Sequence, residues 1–294
     1  MRRGQRARSV KLKRFVMRNW PLTAGVETLM HLLALPEPEG EFAVCRLRGF
    51  PLQLKFKPTT YMGRYLYYRG MYEDGVIRAL GRLLRPGMVF ADAGANIGLH
   101  SVVAAHLVGP AGRVVAFEPQ EELAQLVRLN ATLNGLENIV VETIALGRAA
   151  MNGLLYQPSM KNDGQATLSV GPGERYVGKP RPVRIESLGE RLSALGIIAA
   201  DGLKIDVEGA ELEVLQGLLP FVGSRPPRFV LFECNPDLLA RFGASPQVLL
   251  SYLWQCGYEI RHLAMGLWRS SGPGEWNKGH IPAGDYLAVR SSGA

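Results

Sequence analysis

Val89-Phe90-Ala91-Asp92-Ala93-Gly94-Ala95-Asn96-Ile97-Gly98 is the stretch on which the reading of this chain turns. The apolar run from Met88 to Ala91 has strand character; an acid follows it, and then come Gly94 and Gly98, one helical turn apart. A helix-like segment runs on from Leu99 to Val108. A strand, a tight glycine turn and a helix start form the usual entry to a nucleotide-type cofactor site. Glycine has no Cβ, so the backbone can turn sharply and lie close to a ligand. The helix N-terminus presents unpaired N–H groups at the same place. Asp92, at the strand's carboxyl end, suits a ligand with an ammonium group and disfavours a pyrophosphate.

Outward from that turn, strand and helix alternate. The pattern predicts strands over Met88 to Ala93, Arg113 to Phe117, Asn138 to Ala145, Gly202 to Val207 and Arg228 to Glu233. Helical spacing falls between and after them, over Ile97 to Val108, Gln120 to Asn134, Leu188 to Leu195, Ala210 to Leu219 and Pro246 to Cys256. The rhythm breaks at Gly153 to Val170, which reads as a polar hairpin insertion, and at the loop Gly171 to Pro182. Tyr258 to Leu263 and Tyr286 to Arg290 read as a closing antiparallel pair around a Gly- and Trp-rich loop. Repeated strand–helix units imply a doubly wound α/β fold with a mainly parallel sheet and helices on both faces. Ligands in such sheets bind outside the carboxyl ends of the strands.

Upstream, Val26 to Leu35 reads as a short helix, Glu41 to Lys57 as a β-hairpin about Gly49, and Asp74 to Leu84 as a helix. The stretch Tyr61 to Gly70, rich in Tyr and Arg, reads as a packed cap over a core, with the mouth of a binding site as the other reading. The expected division is a basic N-terminal extension (1–40), a hairpin and aromatic cap (41–75) and the α/β domain (76–294).

The strand ends carry the chemistry. Glu118 follows Phe117, and an acid there can accept hydrogen bonds from both hydroxyls of a ribose. Lys204-Ile205-Asp206-Val207-Glu208-Gly209-Ala210-Glu211 is the second marked stretch. Lys204, Asp206 and Glu208 alternate, so an extended strand would place them on one face. Three charges there are costly to bury unless paired. A polar cleft accounts for them: Asp206 binds a cofactor ammonium or a metal, Lys204 orients or deprotonates a hydroxyl, and Glu208 serves as base or ligand. A structural ion pair, with Glu208 capping the next helix, is the lesser alternative. Glu233 offers a third carboxylate for a divalent cation, and metal dependence stays open. His100 and His106 have no second ligand at metal spacing and read as structural.

The formal charge of +8 is concentrated at one end. Arg2, Arg3, Arg6, Arg8, Lys11, Lys13, Arg14 and Arg18 all precede the first acid, Glu27. Such a tail suits contact with anionic lipid, nucleic acid or a targeting receptor, or is a solvated terminus. It lacks the interleaved aromatics of a single-strand-binding groove, so no nucleic-acid partner is expected, and peripheral membrane contact is the expectation carried forward. Cys45, Cys234 and Cys256 are sparse and widely spaced, which argues for a reducing compartment and a cytoplasmic protein. No apolar run reaches the length of a membrane span.

Taken together, Asp92-Ala93-Gly94-Ala95-Asn96-Ile97-Gly98, Phe117-Glu118-Pro119 and Lys204-Ile205-Asp206-Val207-Glu208-Gly209-Ala210-Glu211 resemble the FkbM-type family of S-adenosylmethionine-dependent methyltransferases. The resemblance covers about Tyr65 to Arg290. It implies a Rossmann-like sheet of seven strands with an antiparallel last strand. It implies that Gly94, Asn96 and Gly98 lie along the methionine part of S-adenosylmethionine, that Glu118 holds the ribose and that Ala145 passes near the adenine. It implies methyl transfer to oxygen, on a sugar or a hydroxylated natural product. On that mechanism Lys204 or Glu208 is the base and Asp206 the cofactor or metal contact. Two other functions compete: a nicotinamide-dependent oxidoreductase on a similar sheet, and a non-catalytic polyanion-binding protein using the tail. The absence of G-x-G-x-x-G and the acid at the turn weigh against the first of these.

Overall fold

A computed structural model describes residues 12–20, 26–157, 165–171, 176–222, 225–264, 267–271, 276 and 281–290. At the N-terminus lie α1 (residues 12–19) and α2 (Val26–Leu32), followed by a hairpin of β1 (Ala43–Arg46) and β2 (Gln53–Phe56). Next come α3 (Tyr61–Arg69) and α4 (Asp74–Leu83). Alternation then begins: β3 (Val89–Ala93), α5 (Leu99–Val108), β4 (Arg113–Phe117), α6 (Glu121–Leu133) and β5 (Ile139–Glu142). A smaller unit follows, β6 (Ala145–Gly147), β7 (Met151–Leu155) and β8 (Arg181–Ser187), and then α7 (Leu188–Ala194). The chain ends with β9 (Gly202–Ile205), α8 (Glu211–Val222), β10 (Phe229–Cys234), α9 (Pro236–Ala240), α10 (Pro246–Gln255), β11 (Tyr258–Ala264), β12 (Leu267–Ser271) and β13 (Gly284–Arg290).

The main sheet has the order β12-β11-β13-β10-β9-β3-β4-β5. Strands β5, β4, β3, β9 and β10 are parallel; β13 runs antiparallel to β10, and β11 antiparallel to β13. This is the expected doubly wound sheet of seven strands with an antiparallel end. An eighth strand, β12, extends its edge inside the segment read from sequence as a Gly- and Trp-rich loop. From β3 the chain moves outward to β4 and β5, then returns to β9 on the other side of β3. The crevice of a doubly wound sheet lies at that reversal, outside the carboxyl ends of β3 and β9.

Period-two alternation builds both faces. Ala91, Ala93, Val115, Phe117, Val230 and Phe232 point into one core with Leu215, Leu218, Leu249 and Leu253 of the covering helices. Phe90, Val114, Phe229 and Leu231 point into the opposite core with Leu80, Ala104 and Ala105. The hairpin is no separate appendage: Leu54 and Phe56 pack with Leu99, Val102, Leu123 and Leu126. Asn130 of α6 and Asn134, which caps its C-terminus, bond the backbone of Lys55 and Gln53.

Two sequence expectations change here. The strand foreseen over Asn138 to Ala145 is two strands, because the chain leaves the main sheet after Glu142 and Ala145–Gly147 pairs with β8 instead. The turn expected at Asn162-Asp163-Gly164 lies outside the described residues; of the hairpin insertion the described part shows a Tyr156–Thr167 bridge, and β7 pairs with β8. Pro182 and the charged residues Arg181, Arg184 and Glu186 hid β8 from a hydropathy reading.

Candidate active site

Beyond the carboxyl ends of β3, β4 and β9 opens a cavity of about 350 Å³. Gly94 and Asn96 after β3, Glu118 to Gln120 after β4, and Asp206 to Glu208 after β9 line it, with Glu233 of β10. Ile144, Ala145, Leu146, Leu155 and Leu168 add an apolar wall. Tyr61, Met62, Tyr72 and Glu73 complete the lining, so the aromatic segment both packs and faces the cavity: Leu66 and Tyr68 are fully buried while Tyr61 stands at the mouth.

The glycine turn is fixed by contact between backbones. Gly94 has φ 82°, and its N–H, with that of Ala95, donates to the Phe117 carbonyl at 3.0 and 2.9 Å. A Cβ on Gly94 would lie 1.8 Å from the Asp206 carbonyl oxygen. The loops after β3 and β9 therefore meet with no room for a side chain between them. Glu118 holds the other side, accepting from Asn96 N at 2.9 Å through Oε2 and from Gln120 N at 2.9 Å through Oε1.

Glu73, Asn96 and Glu208 all adopt left-handed backbone, at φ 49°, 52° and 57°, and all three line the cavity. Such strain costs on the order of 1–3 kcal/mol per residue and persists where surrounding structure enforces it.

Beneath the lining sits a buried charge system. Lys204 is 4% exposed and donates to Asp206 Oδ2 at 3.0 Å. Burial alone would lower its pKa, but Asp206, Asp92 and Glu73 outweigh burial and hold the ammonium above its ordinary value. Asp92 is fully buried, receives the Ser101 hydroxyl at 2.6 Å, and is raised by burial against the pull of Lys204. Asp92, Lys204 and Gly98 are not lining residues; Gly94, Asn96, Glu118, Ala145, Asp206 and Glu208 are. Gly98 sits behind them, its φ of 86° starting α5 against Val127.

Around Lys204 the acids outnumber it. Burial, then Asp206, Glu233 and Glu211, push the Glu208 carboxyl up to about 9, with Arg241 pulling the other way. Burial and then Asp206 raise Glu233 to about 8 and Asp285 to about 6. Glu73, raised well above the carboxylate range by burial and Asp285, lies 3.3 Å from His100 Nε2. His100 is pushed well below its ordinary value by burial and then Lys204, so its ring is neutral. Glu211, the first residue of α8, ties down the loop before the helix: its Oε1 accepts from Val207 N and Gly209 N at 3.2 and 3.1 Å. Among the described residues no three His, Cys, Asp or Glu side chains form a metal-holding group, so Glu233, Asp206 and Glu208 do not make the carboxylate triad considered from sequence.

Tyr72, Glu73 and Asp285 were not singled out in the sequence. For Asp285 a signal existed: the first residues of an antiparallel closing strand must lie beside the last residues of its partner, where Glu233 stands. Glu73 had none, because its role depends on a left-handed turn between two helices.

A parallel sheet with a reversal at β3, a glycine turn there and an acid after β4 define a nucleotide-cofactor α/β protein. Residues 92–260 match the methyltransferase FkbM domain, and the chain belongs to that family. The match displaces the oxidoreductase alternative. The chain is 30% identical over 184 residues to the AMB antimetabolite synthetase AmbE of Pseudomonas aeruginosa, covering 51% of this chain and 8% of that protein. It is 27% identical over 175 residues to the 31-O-demethyl-FK506 methyltransferase FkbM of Streptomyces tacrolimicus, covering 51% of this chain and 67% of that one. Among solved structures, an S-adenosylmethionine-dependent O-methyltransferase from Thermotoga maritima aligns at 14% identity over 89% of this chain and 81% of its own, with a TM-score of 0.43. Fibrillarin from Aeropyrum pernix, with natively bound S-adenosyl-L-methionine, aligns at 15% identity over 70% and 68%, with a TM-score of 0.40.

Proposed function

We propose that the protein transfers the methyl group of S-adenosylmethionine to an acceptor hydroxyl held in this cavity. The observation that carries the reading is the convergence of Gly94, Asn96, Glu118, Asp206 and Glu208 on one cavity within the family's matched region. Its volume of about 350 Å³ falls in the usual range for small-molecule sites. The residues fit the cofactor: the carboxyl groups of Glu118, Asp206, Glu208 and Glu233 that line the cavity suit a ligand carrying a sulfonium and an ammonium.

When bound, S-adenosylmethionine supplies a methyl group activated by the sulfonium. The turn from Gly94 to Asn96 would run along its methionine part, Glu118 would receive the ribose hydroxyls, and the apolar wall at Ile144, Ala145 and Leu146 would flank the adenine. Asp206, fixed by Lys204, would meet the cationic part. Glu208 would take the acceptor proton: it lines the cavity, and its raised pKa makes it a stronger base than an ordinary carboxylate once it is ionised. Lys204 is a buried cation, so its place is to orient Asp206 and balance the acids. The tyrosines at the mouth suit a flat or glycosidic acceptor, and the name of the Streptomyces relative supports an oxygen nucleophile. The same reading treats the hairpin and α3 (41–75) as a cap on the domain from residue 76 onward. The free thiols Cys45, Cys234 and Cys256 support a cytoplasmic, reducing setting.

The test is calorimetric titration of the purified protein with S-adenosylhomocysteine, with NADH in parallel. Saturable binding of the first alone supports the reading, and no binding of it by folded protein overturns it.

A further inference from the structure

The N-terminal helices present apolar side chains to solvent within a strongly cationic segment. Helix α1 has two apolar sides. Met17 is fully buried in a cluster with Val26, Met30 and Tyr68. Leu12 and Phe15, one turn apart, are each 66% exposed. The basic residues of α1 hold it in place: Lys13 Nζ donates to the Ala34 carbonyl at 3.0 Å and Arg18 Nη2 to the Arg46 carbonyl at 2.8 Å. The Arg14 guanidinium lies 4.3 Å from the centre of the Tyr67 ring. Leu12 and Phe15 are thus displayed on an anchored helix. The Lys13 bond also brings the start of α1 to the chain just past α2, where Leu32 is 78% exposed.

Charge points to the same kind of partner. Arg2, Arg3, Arg6, Arg8 and Lys11 precede α1 in the sequence, and no acid occurs before Glu27. Apolar groups set among cations match an anionic bilayer surface: the side chains enter the boundary of headgroups and acyl chains while the cations meet lipid phosphates. A nucleic acid would answer the charge but leave Leu12 and Leu32 in water. No helix among the described residues is long and apolar enough to cross a membrane.

We propose that α1 and the end of α2 dock the protein on an anionic lipid bilayer through Leu12, Phe15 and Leu32. Docking there has a consequence for the site. Met30 and His31 share a small pocket with Tyr61, and Tyr61 also lines the main cavity. The mouth of the cavity is therefore held near the bilayer surface, where a membrane-borne acceptor would meet it.

Flotation of the full-length protein with phosphatidylcholine vesicles, with and without phosphatidylglycerol, tests the proposal. Binding is expected only with phosphatidylglycerol. The Leu12→Ser/Phe15→Ser double variant, which leaves the charge unchanged, should lose about tenfold or more in affinity with its thermal unfolding unchanged; Leu32→Ser gives an independent check that leaves α1 intact. No binding to anionic vesicles overturns the proposal. So does binding that both variants leave intact, since charge alone would then explain it. Tighter retention on single-stranded RNA that the double variant leaves unchanged would overturn it in favour of a nucleic-acid partner.

Discussion

Glu233 of β10 and Asp285 of β13 are register partners in the antiparallel ladder, so two carboxyl groups stand opposite each other at the edge of the cavity. Like charges in opposed positions destabilise a sheet. Burial and then Asp206 raise Glu233 to about 8 and Asp285 to about 6, so near neutral pH Glu233 keeps its proton while Asp285 gives its own up. The folded site is therefore poised for positive charge, supplied by protons until a cationic ligand arrives.

Stability should fall as pH rises through this window. Above the ordinary carboxylate pKa of 4.5 the unfolded chain gives up the Glu233 proton, while the folded chain keeps it up to about 8. The folded state binds more protons, so the slope of stability against pH is negative between those values and flat above. Glu233→Gln removes the contribution. The variant should gain about 1 kcal/mol or more over wild type at pH 8, roughly 2–4 °C in Tm, and little at pH 4.5. Thermal unfolding across pH measures this, and parallel curves for the two proteins would remove Glu233 from the cluster.

Much of this fold and part of this site were legible in the sequence, and the boundary between the two is physical. The parallel strands read clearly because both faces are buried and their composition is nearly pure: Phe90 and Ala91, Val114 and Val115, Val230 and Leu231. Glu118 and Asp206 read clearly because their positions follow from where strands end. β8 did not, because its outer residues are charged and its partner strand comes from a neighbouring segment. Glu73 did not, because it reaches the cavity through a left-handed turn between α3 and α4. Lys204 was read correctly as charged and near the site, but its depth below the lining depends on three-dimensional packing around β9.

Gly94 and Gly98 should separate in mutation. A Cβ on Gly94 meets the Asp206 carbonyl at 1.8 Å, whereas one on Gly98 meets Val127 no closer than 3.0 Å. Gly94→Ala must move the loop after β9, so it should cost several kcal/mol, above the roughly 1–3 kcal/mol of backbone strain alone, and abolish S-adenosylhomocysteine binding. Gly98→Ala should stay near the strain cost and keep measurable binding. Equal unfolding temperatures for the two variants would count against the backbone contact.

Lys204 should prove a stability residue before it proves a chemical one. Lys204→Met removes the cation from between Asp206 and Asp92 and leaves buried acids uncompensated. Breaking a buried pair from one side costs about 3–5 kcal/mol. The variant should show a large fall in Tm that is partly recovered at lower pH, where the acids take protons. A variant with wild-type Tm but no turnover would place Lys204 against the reacting atoms instead.

Glu208 gives the sharpest kinetic prediction. Its carboxyl is raised to about 9, chiefly by burial and Asp206. As general base it works only when ionised, so kcat/KM should climb with pH along a limb displaced well above the carboxylate range. A bound sulfonium nearby favours the ionised form, so the corresponding limb in kcat should lie at lower pH. Glu208→Gln keeps the left-handed backbone and the volume while removing the base. It should lower kcat by about 10²–10⁴ and flatten the limb, with S-adenosylhomocysteine affinity changed little. Retention of the limb in the Gln variant would assign it to Glu233 and leave Glu208 as a lining residue held at φ 57° for shape alone.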